Sequence, residues 1–272
     1  MPDWTVSRPR WSGSVPDRET IAVPTPSGGW GPPWPNVAEI ETVLPHTSWT
    51  LVGGLMTQLH AARRGLDAIR PTNDVDMVLH IETTRGLPAA ASRALESLGY
   101  TMRLPMDPRE RTAHRFVRGD ARVDLVTTAL DDIVDVLVGD HAAPRVAEKL
   151  HGRDIVAIPG GTQALRRTVN ARLSIAPEVP TIVSVPDAFG ALMLKAAAYT
   201  TDSRDRERHL QDAAVLLCCL EDPFDVREHF AGSDRRRIAT LVRRLPDDAR
   251  WWNAFTPGER QEGQAALRIL DG

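Results

Sequence analysis

From residue 36 onward, apolar positions recur with spacings that alternate between the strand period of two and the helix period of about 3.6. The pattern predicts a short helix over residues 37–44, a strand over 49–53, a helix over 54–65 that stops at Gly65, and a strand over 74–81. A helix over 86–98 places Leu87, Ala91, Leu95 and Leu98 on one face and stops at Gly99. Strands are expected at 100–104, 113–118 and 121–128, the last two joined as a hairpin at Gly119-Asp120. Residues 130–150 read as helical in two pieces, with short strands near 154–158 and 181–185. From Pro186 the strand signal fades, and 187–200, 204–220, 224–230, 234–245 and 257–270 read as helices. The expected class is α/β (α+β): a mixed sheet with packed helices over 36–185, then a helical domain over 186–272.

Residues 1–35 break the pattern. They are rich in Pro, Gly and Ser, and the run from Gly28 to Pro35 argues against regular structure. This arm nevertheless carries Trp4, Trp11, Trp30 and Trp34, residues unusual in a free tail. An extended arm docked on the body is expected, with base stacking as the alternative role for these indoles.

Composition narrows the classes. With 272 residues, 42% hydrophobic and 25% charged, the chain is long enough to bury a sizeable core and reads as a soluble globular protein. A net charge of −3 excludes a global basic field, so a nucleic-acid contact would need a local patch. Almost all basic residues are arginine, the only lysines being Lys149, read as an exposed helix residue, and Lys195. Cys218 and Cys219 are adjacent in an apolar helical stretch and read as small buried hydrophobes, which fits a reducing cytoplasm. No basic-then-apolar leader and no membrane-length apolar run are seen, so a cytoplasmic protein without membrane contact is expected.

The chemistry concentrates in Val52-Gly53-Gly54-Leu55, Arg70-Pro71-Thr72-Asn73-Asp74-Val75-Asp76 and, downstream, Val123-Asp124-Leu125. A glycine pair between a strand and a helix lets bare backbone approach a phosphate. Asp74 and Asp76, two apart on a strand, share one face, where hard oxygen donors can hold Mg²⁺, with Mn²⁺ as an alternative ion. With Asp124 from a neighbouring strand, two metals could sit about 4 Å apart for in-line attack on a phosphoryl group. Taken singly, Asp-x-Asp is common turn chemistry and Gly-Gly is commonly a turn. Their order and the apolar neighbours of all three acids favour an active site, because clustered carboxylates inside a domain are unfavourable without a cation.

The ordered set Gly53-Gly54, Arg70-x-Thr72-x-Asp74-x-Asp76, Lys195-Ala-Ala-Ala and Arg206-x-Arg208-His209-x-x-Asp212 resembles the AbiEii family of abortive-infection nucleotidyltransferase toxins, which includes the MenT-type toxins of type IV toxin-antitoxin systems. The resemblance covers roughly residues 45–220. It implies a polymerase-β-like nucleotidyltransferase lobe followed by a helical lobe, with a nucleoside triphosphate in the cleft between them. Some members of that family transfer nucleotides to the 3′ end of tRNA, so a tRNA acceptor and a cognate antitoxin are expected; a monomer is expected as well. By residue, the resemblance implies that Gly53 and Gly54 cradle phosphate, that Thr72 points at the triphosphate, and that Asp74 and Asp76 hold magnesium. Lys195 would reach across to neutralise the triphosphate, and Asp212 would orient Lys195 or the attacking hydroxyl. The plainer alternatives are a lysine snorkelling from a helix surface and an acid paired with Arg208 at i−4.

Arg208 stands where family members often carry lysine, and the N-terminal arm lies outside the matched pattern. Arg235-Arg236-Arg237 with Arg243-Arg244 could bind RNA phosphates, although such runs are more commonly a solvated face; Arg63 and Arg64 lie nearer the expected cleft. Two further readings of the chain are a nucleotidyltransferase acting on a small molecule, as in antibiotic modification, and a non-catalytic nucleotide-binding interaction module.

Overall fold

The computed structural model describes residues 18–67, 70–105, 107, 109, 111–119, 132–140 and 149–272. In chain order the elements are β1 (Thr20–Ala22), α1 (Trp34–Val43), β2 (Trp49–Leu51), α2 (Gly53–Arg64), β3 (Asp74–Leu79), α3 (Leu87–Ser97), β4 (Thr101–Met102), β5 (Thr112–Ala113), β6 (Arg115–Arg118), β7 (Asp132–Gly139), β8 (Lys149–Leu150), β9 (Arg153–Ile158), α4 (Gly161–Leu165), β10 (Thr168–Leu173) and β11 (Thr181–Pro186). Five helices follow: α5 (Ala188–Thr201), α6 (Glu207–Cys218), α7 (Pro223–Glu228), α8 (Asp234–Arg244) and α9 (Pro257–Asp271). The class is mixed α+β. Among the described residues no helix is long and apolar enough to cross a membrane.

The larger sheet is mixed, with strand order β2-β3-β7-β6-β4 and β9 also paired to β7. β3 and β7 are parallel, β2 and β6 antiparallel to them, and β7 changes partner along its length: β6 lies beside its first half and β9 beside its last residues. The alternation of β3 buries Val75 and Met77 completely, and that of β7 does the same with Val134 and Val136. Full burial of each such side chain contributes about 1.5–3 kcal/mol, so the core selects the register of these strands. A second sheet, β1-β10-β11, packs its β11 against β2 and α1.

Residues 132–139 are therefore a strand where a helix was expected. The segment is apolar on both faces because it is central in the sheet, and a continuous apolar run does not reveal its period. Lys149, expected on a helix, lies exposed in β8 instead. β10 and α4 were not anticipated either, and the expected strand at 121–128 lies outside the described residues. In the arm, Trp4 and Trp11 are likewise outside the described residues. Its described part, from residue 18, packs on the body: β1 runs parallel to β10, the Arg18 guanidinium donates to Ser184 Oγ at 2.7 Å, and the Trp34 indole donates to Gln58 at 3.2 Å. Helix α1 begins inside the glycine- and proline-rich run, because Pro35 falls in its first turn, where a missing N–H breaks no helical bond.

After β11, Asp187 caps α5 by accepting from Gly190 N at 2.6 Å, so Pro186 closes the strand and its neighbour opens the helix. The helices that follow bury Leu210, Leu217, Ile238, Leu241, Trp252 and Leu267 among themselves, with α6 packing on α2 and α9. Cys218 and Cys219 are buried free thiols, and burial pushes Cys218 up to about 12, as expected of small apolar fillers.

Candidate active site

β2 delivers the chain to the acid-bearing strand. Val52 N donates to Asp76 O at 2.9 Å, and the next residue, Gly53, turns the chain into α2 with φ +69. That left-handed conformation favours glycine, and space requires it as well: a Cβ on Gly53 would overlap the Asp76 carboxylate. A Cβ on Gly54 would come within 2.8 Å of the Thr72 side chain. The pair thus lets the first turn of α2, whose N–H groups have no side-chain cap, lie directly beside the acids.

With Val75 and Met77 in the core, Asp74 and Asp76 face the other side of β3, as their spacing predicts. The parallel pairing with β7 sets Asp76 opposite Asp135. Carboxylate oxygens of Asp74, Asp76 and Asp135 lie within 4.8 Å of one another and could hold a metal ion. Asp135 is fixed by a two-pronged pair in which Arg115 donates from Nε at 2.9 Å and from a terminal nitrogen at 2.7 Å. This bond raises the Arg115 pKa further, so its charge is permanent. Asp74 accepts from Thr72 Oγ1 at 2.6 Å, so the threonine hydroxyl is spent on orienting an acid.

Asp76 has no such partner. Among the described residues its carboxylate accepts no hydrogen bond, and desolvation, followed by repulsion from Asp74 and Asp135, raises its pKa to about 7. Lys195 and Arg208 pull the other way without cancelling the rise. Three oxygen donors on one face with an uncompensated member suit a hard divalent cation, and glycine at 53 keeps the approach to them open.

The acids floor a cleft of about 450 Å³. Its other wall comes from α5 and α6 through Lys195, Arg208 and His209, and Arg70 lies at its side. Lys195 is only 4% exposed and donates from Nζ to Asp212 Oδ2 at 2.6 Å; Arg70 reaches the same carboxylate at 3.4 Å. Burial works to raise the Asp212 pKa, but Lys195 and Arg70 outweigh it and hold the group below the usual carboxylate value. Asp212 therefore sits behind Lys195 and orients it. Arg208 pairs with Asp202 at 3.1 Å rather than with Asp212. Asp202, at the end of α5, accepts from the backbone N–H groups of Arg204 and Asp205 and from the side chains of Arg208 and His209. Chiefly the Arg204 N–H bond holds its pKa far below the usual carboxylate range. Burial lowers the His209 pKa, so the neutral ring donates from Nε2 and leaves Nδ1 buried without a partner.

Of the residues singled out in the sequence, Gly53, Gly54, Thr72, Asp74, Asp76 and Lys195 line one cleft, with Asp212 one shell behind. Asp124 lies outside the described residues; among those described, the third acid is Asp135, which the helical reading of 130–150 concealed. Its flanks, Val134 and Val136, carry the same apolar-acid-apolar signature that marked Asp124. Arg115, Arg70 and Asp202 were also missed as site residues: the two arginines act through acids that only the fold brings near, and Asp202 acts by holding Arg208 and His209. Arg63 and Arg64 do not line the cleft and pair instead with Glu221 and Glu262. No protein-family model matches the chain, and a search of curated proteins returns no match.

Proposed function

We propose that the chain is a metal-dependent nucleotidyltransferase that moves a nucleoside monophosphate from a nucleoside triphosphate to an acceptor hydroxyl: the acceptor oxygen bonds to the α-phosphorus as the α–β phosphoanhydride breaks, and pyrophosphate and the hydroxyl proton are released. The observation that carries this reading is the convergence of Asp74, Asp76 and Asp135 beside the Gly53-Gly54 helix start, with Lys195 facing them across one cleft. The three carboxylates would hold Mg²⁺, which supplies neutralisation of charge at the phosphoryl oxygens during displacement. The first N–H groups of α2 bind phosphate oxygens, and the open helix end favours their charge. Lys195 adds a charge-assisted donor, and Asp212 with Arg70 fixes where that ammonium points. Arg115 holds both oxygens of Asp135 so that the acid keeps its orientation. The resemblance to the AbiEii toxins extends the proposal to the 3′ end of tRNA as acceptor and to a role as the toxin of a toxin-antitoxin pair.

The test is incubation of the full chain with α-labelled nucleoside triphosphates, Mg²⁺ and total RNA. Labelled RNA that disappears with a chelator supports the proposal. Label on small molecules alone would move the acceptor to that class, and no transfer with any of the four nucleotides would refute the enzymatic reading.

A further inference from the structure

A second and larger groove, of about 1330 Å³, opens beside the acid cleft and shares Pro159 and Thr201 with it. It is formed by the start of α4, the last turn of α5 and one face of α8. Among the described residues five arginines line it, Arg166, Arg167, Arg236, Arg237 and Arg243, against two carboxylates, Glu82 and Asp140. Arg167 is engaged with Asp234 at 2.8 Å, and Arg237 donates to Gln163 at 2.9 Å. Arg166, Arg236 and Arg243 are exposed, and among the described residues no carboxylate lies within ion-pair distance of them. Elsewhere on the described surface exposed arginines are divided: Arg64, Arg250 and Arg268 each pair with an acid, whereas Arg93, Arg103 and Arg172 do not. The groove differs in gathering three such arginines in one lining, in a chain whose net charge is −3. Local positive charge left unpaired in an acidic molecule attracts an anion.

The face is built rather than incidental. Arg236, Thr240 and Arg243 recur at helical spacing and turn to the groove, whereas Arg235 lies over the Phe230 ring and Arg244 over the Tyr199 ring, outside it. Gln163 fixes the helix in place, donating to Ala231 O at 3.0 Å while its oxygen accepts from Arg237 and Ser233. The volume exceeds the range of about 300–1,000 Å³ typical of small-molecule pockets. Among the described residues no aromatic side chain lines the groove, and Pro159, Ala197 and Ala231 are its apolar lining, so these residues offer neither a base-stacking platform nor pockets for the side chains of a peptide. What it offers is a row of planar guanidinium groups, which match phosphate oxygens two at a time.

We infer that this groove is the track on which the phosphodiester backbone of a single nucleic-acid strand lies, with Arg166, Arg236 and Arg243 as its phosphate contacts, leading the strand's end into the acid cleft. The inference rests on nucleotidyl transfer in that cleft for its biological meaning, but its test does not. A fluorescein-labelled single-stranded RNA of about twelve nucleotides, within the usual site sizes, is titrated with the full chain in chelator and without nucleotide, so that no transfer takes place. Replacing Arg166, Arg236 and Arg243 together by Gln should weaken binding at least about tenfold and flatten the slope of log affinity against log salt by about 2, since each single-strand phosphate contributes about 0.7. The variant Arg235→Gln with Arg244→Gln removes charge from the same helix outside the groove and should change affinity less than about twofold. Both variants alter exposed side chains, and unchanged binding of a nucleoside triphosphate with Mg²⁺ reports that the fold and the cleft are intact. A DNA strand of the same sequence binding equally identifies the phosphodiester alone as the ligand, and preference for RNA adds the 2′-hydroxyl. Equal loss in the two variants, or a polyglutamate peptide competing as well as RNA at equal charge, would overturn the assignment. Because RNA binding is read without chemistry, its loss in the groove variant stands even if no transfer is found, and intact transfer with no RNA binding sinks only the groove.

Discussion

Asp76 and Asp234 are both acids withdrawn from bulk water, and they are treated in opposite ways. Asp234, fully buried at the start of α8, accepts from Arg167, Gln163 and the Ala231 N–H, so its charge is balanced inside the fold. Asp76 is packed against two further carboxylates and accepts no hydrogen bond among the described residues. A buried charge with its counter-charge supplied locally holds elements together; a buried charge left with like neighbours requires something from outside. The contrast separates an acid that joins α8 to α4 and to the turn before β10 from one whose charge the described residues leave uncompensated.

Removing each acid should therefore fail differently. Asp76→Ala is expected to cut nucleotide transfer by at least about a thousandfold, the scale on which lost electrostatic stabilisation is felt at a reacting centre, with the fold retained by circular dichroism. Near wild-type turnover in excess Mg²⁺ would remove Asp76 from the site. Asp234→Ala should instead cost about 3–5 kcal/mol of stability in urea titrations, because Arg167 is left without its partner. A loss below about 1 kcal/mol would show that the knot is replaceable. On the facing wall, Lys195→Ala should weaken triphosphate binding by about 1.5–3 kcal/mol, the range of a charge-assisted hydrogen bond, and leave binding of an unphosphorylated nucleoside alone. The exposed Lys149 is the control, and equal triphosphate affinities for wild type and Lys195→Ala would show that α5 does not complete the nucleotide site.

The smallest effect tests the comparison most directly. The Asp76 pKa is raised from 3.8 unfolded to about 7 folded, so the folded chain holds a proton that the unfolded chain has released. Stability of the metal-free protein thus falls as pH climbs through that window, a cost absent below 3.8 and complete above about 7. The full span corresponds to about 4 kcal/mol, which the solvent of the cleft reduces to about 2. In chelator, Asp76→Asn should therefore be more stable than wild type by about 2 kcal/mol at pH 8 and indistinguishable from it near pH 4. Equal melting temperatures at pH 8 would mean that Asp76 is compensated after all.

Which parts of the site were legible in the sequence follows from how local each is. Gly53, Gly54, Asp74 and Asp76 sit on two adjacent elements with clear periods, and the spacing alone placed both acids on one face. Lys195 and Asp212 were legible only through a resemblance, because no local rule brings α5 and α6 to face the acids of β3 across a cleft. Asp135 was missed for a specific reason: a central strand is apolar on both faces, so 132–139 lost the alternation that identifies a strand, although Ile133, Val134, Val136 and Val138 carry the branching that strands favour. The short β1 was hidden by its proline-rich surroundings, since three residues are too few to show a period. The arginines of α8 could be counted but not sorted, and only the packing of Phe230 and Tyr199 separates those in the groove from those outside it.

The pairing of Asp76 with Asp135 across β3 and β7 carries one more implication. The acids and the oily residues between them are dealt out by a single alternation, so sliding either strand by one position would drive carboxylates into the core and Val75, Met77, Val134 and Val136 into the cleft. A chain with that error would not be folded at all. The alignment of the three acids is thus delegated to the apolar interior, and a substitution that keeps this core keeps the acids in register.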